Sequence, residues 1–157
     1  MKKLNIVLMV VLILLVAFIV YFFAGSMLDA EVHMVTAPAS DHPDAFASIQ
    51  NAISANAAPQ RFVNDVPATA DGYTLIDMTL TLSNKGVFTA EWISVEVEGA
   101  SGDVAVYSLS GEGTDIAGRS AGQLNLKLIT AAPANTQRRI TLTYYVFGLE
   151  RRLTLTA

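Results

Sequence analysis

Residues 73–82 read "YTLIDMTLTL", and the order of apolar and polar side chains along them decides the fold class. Ile76, Met78, Leu80 and Leu82 fall on one side of an extended chain, and Asp77, Thr79 and Thr81 on the other. That period of two marks a strand with one dry and one wet face. "SNKG" at 83–86 is a turn signal, and "WISVEVEG" at 92–99 then alternates Ile93, Val95 and Val97 against Ser94, Glu96 and Glu98. "DVAVYSL" (103–109) and "QLNLKLI" (123–129) repeat the pattern, the second setting Leu124, Leu126 and Leu128 against Asn125 and Lys127. About six to eight short strands separated by turn signals predict an antiparallel β-sandwich over residues 60–157.

The carboxyl terminus, "ITLTYYVFGLERRLTLTA" (140–157), predicts a hairpin. With Gly148-Leu149 as the central pair of a type II′ turn, Tyr145 faces Arg152, Tyr144 faces Leu153 and Leu142 faces Leu155. The pairs sort by face, Leu142 and Tyr144 with their partners to the core, Thr143 and Tyr145 with theirs to solvent.

Working back toward the amino terminus, "MLDAEVHMVTAP" (27–38) reads as a first strand. In "SDHPDAFASIQNAISANAAP", Asp41 is the expected N-cap, Pro43 lies in the first turn, and Phe46, Ile49 and Ile53 share one face of a short amphipathic helix over about 41–57. Too short to stand alone, that helix needs the sandwich to pack on.

"MKKLNIVLMVVLILLVAFIVYFFAGS" (1–26) sets two lysines ahead of 18 consecutive apolar residues, Ile6–Phe23. Extended to Leu4 and Ala24, the run measures about 31 Å as a helix, which matches a bilayer core and predicts a transmembrane signal anchor. The lysines place the N-terminus in the cytoplasm and the C-terminal domain outside it, with residues 4–24 in contact with lipid and Tyr21, Phe22 and Phe23 at the interface. The alternative is a signal peptide cleaved near Ser26, which would leave a secreted protein, although the run is longer than a usual signal core. A pilin-like start is disfavoured, because a Gly ahead of the processing site and an early Glu in the apolar stretch are both missing. Three segments result: 1–26 (lysine stub and anchor), 27–59 (first strand and helix) and 60–157 (sandwich), the last two forming one exported domain.

Composition narrows the function. The 157 residues contain no cysteine, which excludes disulfides, thiolate metal sites and a cysteine nucleophile. From Met27 onward there are 8 basic and 14 acidic side chains, net −6, a balance that repels nucleic acid.

"GRSAG" (118–122) fits the Gly-x-Ser-x-Gly pattern of a nucleophile elbow. Ser120, however, precedes a strand rather than a helix, and no histidine follows His42 in the chain. It reads as a turn, and no catalytic residue is expected. His42 between Asp41 and Asp44 reads as a capping turn rather than a metal site, and His33 as a lone strand residue. "SGEGTD" (110–115), with Asp103 nearby, lacks the spacing of a calcium loop. Neither metal nor cofactor is expected. Arg138 with Arg139, and Arg151 with Arg152, form two pairs about 20 Å apart, expected to solvate and protect strand edges, with Arg152 stacked on Tyr145. Trp92, the single tryptophan, has the wrong parity to join Ile93, Val95 and Val97, so it is either a rim residue under the helix or a partner anchor. Trp92, Tyr145, Arg151 and Arg152 are the candidate contact residues.

"YTLIDMTLTLSNKGVFTAEWISVEVEG" and "IAGRSAGQLNLKL" resemble single-pass extracytoplasmic immunoglobulin-like proteins of bacteria, of the telokin-like and late-embryogenesis-abundant type 2-like kinds. The resemblance covers about residues 60–157. It implies an immunoglobulin-like sandwich outside the cytoplasm and carries over no catalytic residue. Together these readings predict a mainly β protein, an antiparallel immunoglobulin-like β-sandwich preceded by one transmembrane helix and a short amphipathic helix. Its expected role is a non-enzymatic interaction or scaffolding module of the cell envelope, binding an envelope protein or a cell-wall polymer. The alternatives are a subunit of a larger membrane complex and a small envelope hydrolase using Ser120.

Overall fold

In the computed structural model, which describes residues 2–24, 28–133 and 135–157, the stretch that opened the sequence reading becomes the centre of a sheet. Strand β3 (Thr74–Asn84) is flanked by β1 (Leu28–Pro38) and β6 (Ala121–Thr130), and β5 (Asp103–Ser110) and the two-residue β2 (Gln60–Arg61) complete the order β1-β3-β6-β5-β2. A second sheet holds β4 (Glu91–Glu98), β7 (Arg139–Val146) and β8 (Leu149–Thr156) in that order, and every pairing in both sheets is antiparallel.

The period-two residues fill the space between the sheets. Ile76, Met78 and Leu80 of β3 and Leu124, Leu126 and Leu128 of β6 meet Ile93 and Val95 of β4 and Ile140 and Leu142 of β7 in one buried cluster. A second cluster lies on the outer face of the larger sheet. There Phe46, Ile49 and Ile53 of helix α2 (Pro43–Ser54) cover Leu75, Val104, Ala105 and Ile129. The helix starts later than Asp41. Residues Ala39–Asp41 form a 3-10 turn, and His42 takes the N-cap position without a side-chain cap bond. The reason is Pro43 at the first helical position, which keeps the residue before it out of the helical region.

The terminal hairpin forms in another register. Val146 pairs with Leu149, so the turn is Phe147-Gly148, and Tyr144 faces Arg151, Thr143 faces Arg152 and Leu142 faces Leu153. Both central residues have positive φ, 53° at Phe147 and 72° at Gly148, as a type I′ turn requires. Each residue's partner moves by two positions, which keeps every side chain on its expected face but separates Tyr145 from Arg152.

Arg138 is also corrected. It is buried at 1% exposure, and its Nε and Nη2 donate to the two carboxylate oxygens of Asp103 at 2.9 and 2.7 Å. Because Asp103 opens β5 and Arg138 directly precedes β7, the pair clamps one sheet to the other.

Helix α1 (Lys2–Ala24) forms over the apolar run, but the anchor reading is not upheld: among the described residues no helix is long and apolar enough to cross a membrane. The transmembrane helix, the single-pass placement and the lipid contact through residues 4–24 are therefore unsupported. The cleavage expected near Ser26 lies outside the described residues.

Candidate functional site

Strand β4 contains a bulge between Glu91 and Ser94, where the register to β7 shifts. Ile93 must stay in the core, where it is fully buried, so the surplus residue turns outward. That residue is Trp92, 68% exposed and held at φ 52°. Its backbone is pinned from several directions: the Trp92 N–H donates to the Asp115 carboxylate at 2.9 Å, Ala90 bridges Ile116, and Ile93 exchanges bonds with Thr114 and Gly113. Trp92 therefore does not lie under α2, which packs on the other sheet.

A second exposed aromatic lies close by. Glu91 pairs with Tyr145, so Phe147 at the hairpin turn comes within about 10 Å along the strands. Phe147 is 57% exposed and stands edge-on against Phe88, with ring centroids 4.8 Å apart. Leu149 and Val87 add exposed apolar surface.

The loop carrying Val87 and Phe88 is shaped by Asn84, a buried polar residue. Its Nδ2 donates to the carbonyls of Phe88 and Ile116 at 2.7 and 3.0 Å, and its Oδ1 accepts the Gly86 N–H at 3.0 Å. "GRSAG" forms the wall behind this loop. A Cβ on Gly118 would lie 2.3 Å from the Val87 carbonyl oxygen, so only glycine fits, and the Arg119 N–H donates to Gly86. The Ser120 hydroxyl donates to the Ala117 carbonyl at 2.7 Å inside the same turn. His42, next to Leu75 at the far end of β3, is about 30 Å away along the strand. Ser120 and His42 are thus not brought together.

The acidic groups of residues 110–115 serve β4. Glu112 accepts the Val95 N–H at 3.0 Å, and Asp115 accepts that of Trp92. Gln60 adds to this cover, accepting the Val97 N–H at 3.1 Å, so the free edge of β4 is closed by side chains. Among the described residues no group of three or more His, Asp or Glu side chains could hold a metal ion.

Of the four candidate contact residues, three share a side. Trp92 projects at the bulge, and Tyr145 stands on the outer face between Glu91 and Glu150. Arg152 lies beside it but pairs with Glu150 at 2.7 Å instead of stacking on Tyr145. Arg151 faces inward with Tyr144, half-buried, and leaves the group. Phe147, Leu149 and Val87 belong to the surface although no sequence pattern singled them out.

The rim carries charges of both signs: Glu91 and Asp115 stand beside Trp92, Glu150 is paired with Arg152, Arg119 is exposed on the turn behind the Val87–Phe88 loop, and Lys85 is paired with Asp29. The hydrogen bond and charge of Lys85 hold the Asp29 carboxyl below its ordinary range, and the hydrogen bond and charge of Asp29 raise the Lys85 ammonium above its own.

No protein-family model matches the chain, and no curated protein matches it. Among solved structures, the crystal structure of a FixG-related protein from Vibrio parahaemolyticus is similar over 80% of this chain and 92% of that one, at 14% identity and a TM-score of 0.38. At that distance the likeness carries no weight for fold or function.

Proposed function

We propose that this chain is a non-enzymatic interaction module whose aromatic end, centred on Trp92, docks a protein partner. The observation that carries the reading is Trp92 itself, a large aromatic that is 68% exposed and held on left-handed backbone by a bulge. Left-handed backbone costs a bulky residue about 1–3 kcal/mol, and Phe147, at φ 53°, bears the same cost while 57% of its surface stays exposed beside Phe88. Strain and exposure combined at two neighbouring aromatics fit a pre-formed contact surface, since tryptophan is a favoured anchor of protein interfaces. Glu91 and Asp115 beside Trp92, on a domain of net charge −6, favour a partner with an apolar pocket and basic edges.

Co-purification tests the reading. A tagged full chain recovered from its own cells after mild crosslinking is expected to bring down one protein in near-stoichiometric amount, and Trp92→Ala to lower that recovery at least tenfold. Recovery of monomer alone under varied crosslinkers, or equal recovery with Trp92→Ala, would refute it.

A further inference from the structure

We infer that the outer face of the larger sheet carries a saccharide-binding trough running beside α2, with the Tyr107 ring as its platform. Helix α2 covers only the end of this face near Leu75 and Ile129. Beyond it, a cleft of about 250 Å³ opens between β1, the start of α2 and β5, and continues into a shallower hollow of about 520 Å³ across β1, β3 and β6. Val35, Asp77 and Lys127 line both, so the two form one trough.

The ligand class follows from what lines it. Val35, the edge of Leu75 and the half-buried Tyr107, whose ring also packs against the cluster under α2, provide an apolar wall of the kind on which the C–H face of a sugar ring lies. Polar groups converge on that wall as matched pairs. Asp77 and Lys127 face each other across β3 and β6 and form an ion pair at 3.1 Å. Thr79 and Asn125, the next pair on that face, share a hydrogen bond of 3.0 Å from the Thr79 hydroxyl to Asn125 Oδ1. Asp77 and Lys127, the carboxylate and the ammonium that line the trough beside His33 and His42, balance each other, so neither offers an unpaired charge with which to select an ion. The trough's spare donors and acceptors suit neutral hydroxyl and amide groups, which both give and accept hydrogen bonds. The Tyr107 hydroxyl, a donor at neutral pH as any phenol is, is held further above its ordinary range by burial and then by the Asp77 carboxylate. The trough is open along its length, which suits an extended oligosaccharide. This surface lies on the sheet opposite the one carrying Trp92, so it stands independently of the partner surface.

The probes are soluble oligomers of N-acetylglucosamine and of glucose, presented to the full chain in a detergent without a sugar headgroup. Saturation-transfer NMR from protein to sugar is expected for wild type and for Trp92→Ala at millimolar oligomer. Tyr107→Ala is expected to weaken binding at least tenfold and Asn125→Ala several-fold, with circular dichroism unchanged. Should Tyr107→Ala fail to fold, Asn125→Ala, a substitution at a half-exposed strand position, decides the matter. Absence of transfer to every oligomer, or binding unchanged in the folded trough variants, would overturn the inference. Retained binding by Trp92→Ala separates the trough from the partner surface, so that either can fail without the other.

Discussion

Removing the Arg138 side chain is the perturbation with the largest expected effect on the fold. In the native chain its guanidinium makes a two-pronged contact with Asp103, and Nη1 donates to the Thr136 carbonyl at 2.8 Å. Both side chains of the pair are at 0% exposure. The Arg138 backbone also exchanges bonds with Ala157 at 2.7 and 2.9 Å, which fastens the end of the chain. Arg138→Ala leaves the Asp103 carboxylate in the interior without its cation, with the Thr130 hydroxyl and the Ala100 N–H, the latter at 2.8 Å, beside it. Breaking a buried pair from one side costs about 3–5 kcal/mol, which for a chain of this size lowers Tm by about 10–15 °C. Replacing both partners, as in Asp103→Leu with Arg138→Met, should cost less than either single change, because no charge is then stranded.

The dependence on pH sharpens this expectation. Burial pushes the Asp103 carboxyl up, but the hydrogen bonds from Arg138, Thr130 and the Ala100 N–H, with the Arg138 charge, outweigh it and hold the group below its ordinary range. A carboxyl with a depressed folded value contributes stability that is present above its unfolded value of about 3.9 and is lost as pH falls through the folded value. In Arg138→Ala the same carboxyl is buried without its cation, so its value rises and mild acid relieves the penalty. Chemical denaturation from pH 7 down to pH 4 should therefore show the gap between wild type and Arg138→Ala narrowing. A gap under about 1 kcal/mol at pH 7, or one that widens in acid, would refute the reasoning.

Three further outcomes are expected. Phe147→Asn places the favoured residue at the first position of a type I′ turn but removes the edge-on contact with Phe88, so urea melts should shift by less than about 1 kcal/mol while partner recovery weakens. Gly118→Ala drives a methyl to 2.3 Å from the Val87 carbonyl oxygen and should destabilise by about 1–3 kcal/mol in the same assay. Ser120→Ala removes one exposed turn bond and should leave stability within about 0.5 kcal/mol of wild type.

Legibility in the sequence followed how local the determinant was. Ile76, Met78, Leu80 and Leu82 advertised β3 because one face of that strand is dry for its whole length. Phe46, Ile49 and Ile53 marked a helix face for the same reason. The hairpin register escaped, since moving every partner by two positions keeps Leu142 and Tyr144 facing inward, and the pattern sorts equally well either way. Only the positive φ accepted by Phe147 decides between the two turns, and no side-chain pattern announces that. Arg138 sits in "TQRR", which reads as hydrophilic, while the carboxylate that buries it lies 35 residues earlier in the chain. The trough was invisible for a similar reason, because Val35, Asp77, Tyr107 and Lys127 come from four strands that only the topology places side by side. Trp92 stood out by its parity, and the bulge explains that parity. The apolar amino-terminal run did predict α1, whereas the spanning role assigned to it is not upheld among the described residues.

The central claim is that Trp92 and Phe147 meet a protein partner. Photoreactive side chains placed singly at positions 92, 147 and 141, with illumination of living cells, test it most directly. The account predicts one common crosslinked protein from 92 and 147, and little or none from 141 on the threonine-lined outer face. Crosslinking at 92 no stronger than at 141, or different proteins captured from 92 and 147, would contradict it.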